Sequence, residues 1–147
     1  MHSIDNWLED ISAWYDNENL QYPVLAQLIK SPPAELFSSP VSPEKSDSLA
    51  YFFDACFKLH RHEESQLNTD SAYSYLHFSY AKLQQLASHS SSEVDVRRWS
   101  IKKLDQVIVA MMEFCQKQGS DDWLKESEML VELHISFMLG QSNLNVS

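Results

Sequence analysis

Residues 93–118, EVDVRRWSIKKLDQVIVAMMEFCQKQ, decide the fold. From Leu104 to Cys115 only Asp105, Gln106 and Glu113 are polar. A run this apolar on nearly all sides is a helix covered by others, the centre of a bundle. Its breaks are also those of a helix. Ser92 can cap the start, and Gly119 follows the end, where a left-handed residue stops a helix. The first half differs: Arg97, Arg98, Lys102 and Lys103 surround Trp99.

Outward from this stretch the same periodicity recurs. Ile4, Trp7, Leu8, Ile11, Trp14 and Tyr15 fall within one stripe about 120° wide at helical spacing, with Ser3 as cap, and predict a first helix over about 4–15. Pro23 opens a second over about 23–30, which Pro32 and Pro33 end. Leu49, Phe52, Phe53, Cys56, Leu59 and His60 predict a third over about 47–65, capped by Asp47. A fourth covers about 70–88, with aromatic residues on two sides. After Gly119, Ser120 caps a sixth helix. Its inner face is Trp123, Leu124, Leu130, Val131, His134 and Met138, Gly140 closes it, and residues 141–147 form a frayed tail.

The expected architecture is a single all-α domain, a bundle of five or six helices. A Ser/Pro-rich strap spans about 31–48 between helices two and three. Four of the five prolines lie in it, and one helical turn at Ala34–Phe37 can pin it to the core.

Composition excludes several functions. Twenty-one acids face eleven bases in 147 residues, a net charge of −10. Nucleic-acid binding needs a basic footprint, so no nucleic-acid partner is expected. The charge is uneven: residues 1–57 carry −7, residues 58–117 carry +1, and residues 118–147 carry −4. With two glycines, Gly119 and Gly140, a Gly-rich phosphate loop cannot be built. No apolar run approaches the ~18 residues of a membrane span. The first residues lack a basic and an apolar signal region, so two free thiols, Cys56 and Cys115, in a reducing cytoplasm are expected.

Possible chemistry is thin. Cys56 and His60 share one helix face, and Cys115 and His134 lie on the inner faces of helices five and six. Tetrahedral zinc would use such a set. None of the pairs has a zinc-finger spacing, and ordinary core packing accounts for all four, so no metal and no cofactor are expected. His60, Arg61, His62, Glu63 and Glu64 read as a solvated helix end. If the protein were an enzyme, His134 would be the acid–base group, with His60 and Glu63 or Glu64 near it. No motif supports that.

Two readings remain. The first is a non-catalytic protein-interaction or regulatory module, for which a homodimer is one form. Its surface would be a second stripe on helix five, Val96, Trp99, Val107, Ala110 and Phe114, with Arg97, Arg98, Lys102 and Lys103 around it, since a stripe of that kind must be covered by something. The second is a small-ligand binder. It would use an aromatic pocket between helices three, four and six lined by Tyr73, Tyr75, Phe78, Tyr80 and His134.

Overall fold

The computed structural model describes residues 4–17, 21–38, 40–89 and 93–146. The chain is all-α, as its periodicity requires. It has six α-helices and one 3₁₀ turn, with no strand among the described residues. These are α1 (Ile4–Asp16), α2 (Tyr22–Lys30), the turn Ala34–Phe37, α3 (Pro43–Ser65), α4 (Thr69–His89), α5 (Val94–Gln118) and α6 (Asp121–Val146). The backbone divides into two compact units, Met1–Lys82 and Leu83–Ser147, and the division falls within α4.

In the first unit the tryptophans of α1 bury their rings and spend their polar atoms. Trp7 Nε1 donates to the Leu28 carbonyl at 2.9 Å, and Trp14 Nε1 donates to the Gln21 carbonyl at 2.8 Å. Each bond satisfies a buried donor and ties α1 to one end of α2. Phe52 of α3 is fully buried, with the Phe37 ring edge-on at 4.9 Å, so the 3₁₀ turn does pin the strap. The strap is shorter than expected. The structure starts α3 at Pro43 instead of Asp47, because Pro43 fits the first helical turn and the Ser42 hydroxyl accepts from the Lys45 amide at 3.2 Å. Lys45 is buried, and its ammonium donates to the Pro40 carbonyl at 3.0 Å. A charge on the third helical residue thus closes the loop that precedes it.

The second unit is dominated by α5 and α6, which form a hairpin about Gly119. That residue has φ 73°, a left-handed conformation natural to glycine at a helix end. Three contacts set the pair antiparallel. Phe114 meets Trp123 edge-on at 5.6 Å, Asp105 meets His134 at 3.0 Å, and Arg97 meets Gln141. Each joins residues equally far from the turn to within a residue or two, so the two helices run level along their length. Ser120 caps α6, its hydroxyl accepting from the Trp123 amide at 3.3 Å. The helix does not close at Gly140, nor do residues 141–146 leave it: α6 continues to Val146. One helical glycine costs only about 1 kcal/mol, and the Arg97–Gln141 contact beyond it is stronger. The proposed caps Ser3 and Ser92 lie outside the described residues.

Candidate functional site

The stripe expected to lie open on α5 is largely covered. Val107 and Phe114 are buried, and Val96, Trp99 and Ala110 are half-buried. Arg97 is turned inward and only 7% exposed. Its Nε donates to Gln141 Oε1 at 3.1 Å, and a terminal guanidinium nitrogen donates to the Gln141 carbonyl. These three, Arg97, Val107 and Phe114, are therefore removed from any docking surface. An apolar helix is covered on as many sides as its neighbours reach, and a guanidinium enters a core when its donors find acceptors. Arg98 and Lys102 remain exposed, and Lys103 Nζ lies 5.9 Å from the Trp99 ring centre.

The uncovered apolar face is on α6. Among the described residues, five of the nine exposed large hydrophobic side chains belong to it: Leu124, Met129, Leu133, Ile135 and Leu139. Leu133, Ile135 and Leu139 are 58%, 53% and 61% exposed. Leu124, expected on the inner face, is among them. At ~100° per residue the five form two shoulders. Leu124, Ile135 and Leu139 lie on one, with the exposed Glu128 among them, Met129 and Leu133 lie on the other, and the exposed Glu132 and Ser136 run between. The opposite side of α6 meets α5 through Trp123, His134 and Gln141. The apolar arc is wider than a single neighbour covers, which is the signature sequence reasoning could have used. The alternation of Leu, Ile and Met with Glu hid it.

The other candidates are dispersed. His134 Nε2 pairs with Asp105 Oδ1 at 3.0 Å, a local contact of the hairpin. Tyr80 is buried, while Tyr73 is half-buried with its ring 6.1 Å from that of His77. Tyr75 and Phe78 line an open hollow of about 380 Å³ with Ile29, Lys30, Ser71 and Ser74, formed by α2 and α4. His60 Nδ1 is bonded to the Ala72 carbonyl at 2.8 Å, and the His62 ring stacks on Tyr22 at 3.9 Å. Glu63 accepts from the Asn68 side chain at 2.6 Å. These ionisable groups hold the α3–α4 corner and the edge of α2. Cys56 and Cys115 are buried free thiols, and no three His, Cys, Asp or Glu side chains gather for a metal among the described residues.

One groove had no local signal. Leu8, Ser12 and Tyr15 of α1 and Asp47, Ala50, Tyr51 and Asp54 of α3 line an open space of about 630 Å³. The Tyr15 hydroxyl donates to Asp54 Oδ2, and Lys58 lies 3.9 Å from the same oxygen. Burial first, then the Asp54 hydrogen bond and charge, pushes the Tyr15 hydroxyl well above the ordinary tyrosine range. Tyr15 and Asp54 of this groove are thus engaged with one another. No described helix is long and apolar enough to cross a membrane. Comparison with protein-family models, with curated proteins and with solved structures finds no match to the chain.

Proposed function

We propose that the chain is a non-catalytic protein-interaction module that docks another protein chain against the exposed apolar shoulders of α6. What carries the reading is the concentration of exposed large hydrophobic side chains on that one helix. Exposed apolar surface in water is costly, and where it gathers on one helix of a folded chain it marks a place where another surface binds. The dispersal of His60, His134, Cys56 and Cys115 into separate packing contacts supports a binding role over a catalytic one. A photo-reactive residue at Ile135 tests it, with one at the exposed Glu9 of α1 as control. Discrete protein adducts form from Ile135 in cells and not from Glu9. Absence of any adduct from Ile135 or from Leu133 overturns the reading.

A second reading, a small-ligand binder, rests on the Tyr15–Tyr51 groove, whose rings lie 4.9 Å apart beside Asp47 and Asp54. A cationic aromatic compound that raises the melting temperature of the native chain but not of Tyr51→Ala would favour it.

A further inference from the structure

We propose that the occupant of the Leu124–Ile135–Leu139 shoulder is a second copy of this chain, laid antiparallel along the α5–α6 hairpin. This rests on the reading of α6 as a docking surface and adds the partner and its orientation.

The hairpin is electrically a rod with unlike ends. At the end away from Gly119, residues 94–103 carry Arg97, Arg98, Lys102 and Lys103 against Asp95, and the level residues of α6, 135–144, carry no charge. The net charge there is +3. At the turn, residues 113–128 carry Glu113, Asp121, Asp122, Glu126 and Glu128 against Lys117 and Lys125, a net −3. A parallel copy would set like ends together. A copy related by a two-fold axis across the hairpin sets each end against its opposite.

The side chains follow the same symmetry. The Asp105–His134 contact marks one side of the hairpin. At ~100° per residue and with the helices antiparallel, that side carries Arg98, Lys102 and Val109 from α5 and Leu124, Ile135 and Leu139 from α6. All six are exposed. An axis near the level of Val107 sets Lys102 beside the partner's Glu128 and Arg98 beside the partner's Asp121. It sets Leu139 beside the partner's Leu124, and Ile135 beside the partner's Val109. Leu139 and the partner's Leu124 meet helix on helix, and the other three pairs run diagonally between α5 of one copy and α6 of the other, apolar toward apolar and base toward acid. Asp105, close to the axis, is already engaged by His134 of its own chain.

Sedimentation of the native chain between about 1 and about 200 µM should show the 17.0-kDa species giving way to one of twice the mass, less readily as salt rises. Ile135→Glu stays monomeric. Leu133→Glu, on the other shoulder, dimerises as the native chain does. Arg98→Glu with Lys102→Glu weakens the dimer about tenfold or more, because the two-fold repeats each pair, and Asp121→Lys with Glu128→Lys does the same. The variant with all four reversals recovers the native dissociation constant to within about threefold. Circular dichroism confirms that each variant is folded. A native chain that stays monomeric throughout, or a dimer that survives Ile135→Glu, overturns the proposal. Failure of the fourfold reversal to recover affinity overturns the antiparallel arrangement on which it rests. If the chain is monomeric while Ile135 cross-links a protein of different mass, α6 is still the docking surface and only the second copy is excluded.

Discussion

Arg97→Ala tests the chain's least anticipated contact. Arg97 and Gln141 are 7% and 6% exposed, and they join the start of α5 to the last turns of α6. The guanidinium donates once to the Gln141 side chain at 3.1 Å and once to its carbonyl. Charge-assisted hydrogen bonds are worth about 1.5–3 kcal/mol when truncation strands a buried partner, and here one partner is a backbone carbonyl. Deleting both bonds and the side-chain stem should cost about 2–4 kcal/mol, close to 5–12 °C in melting temperature for a chain of this size. Arg97→Lys should recover less than half, because an ammonium lacks the fork that reaches both oxygens. Urea titration followed by circular dichroism gives the stability change. Hydrogen exchange gives its location: amides beyond Met138 should lose protection first, while Trp123–Leu130 hold theirs. A loss under about 0.5 kcal/mol, with exchange after Gly140 unchanged, would refute both the buried pair and its role in extending α6.

Further outcomes follow from single residues. Gly119→Ala should destabilise by about 1 kcal/mol through its φ of 73°, whereas Gly140→Ala, helical and with nothing within 4 Å of an added Cβ, should stabilise by about 0.5–1 kcal/mol; opposite signs in denaturant titration check both. Tyr15 binds its proton more tightly folded than unfolded, so its contribution is complete below the unfolded pKa of about 10 and is lost as pH rises beyond it; stability measured across pH 9–11.5 should fall less steeply for Tyr15→Phe than for the native chain. Burial pushes the Cys56 thiol up, so alkylation of Cys56 at neutral pH should proceed only as fast as the chain opens, and labelling of the native protein within minutes would contradict its position.

Much of the secondary structure was legible because it is local. The stripes of α1 and α3, the proline opening of α2 and the glycine stop of α5 each depend on residues within a few turns. The start of α3 was misplaced because two caps compete there. Asp47 is a sound cap in isolation, but Ser42 with Pro43 comes first, and the buried Lys45 ammonium on the Pro40 carbonyl favours the earlier start.

The sequence by itself determined that this chain is helical and that its helices are too apolar to stand alone, since both follow from the spacing of side chains along one helix. Only the tertiary structure decided which apolar face is covered. Val107 and Phe114 are buried while Ile135 and Leu139 are open, although all four are equally hydrophobic in the sequence. It also decided that one arginine of a basic cluster turns inward to meet a glutamine past a glycine. The reason is the same in each case. A periodic pattern states that a face must be buried, but whether a neighbour reaches it depends on contacts between residues far apart in the chain.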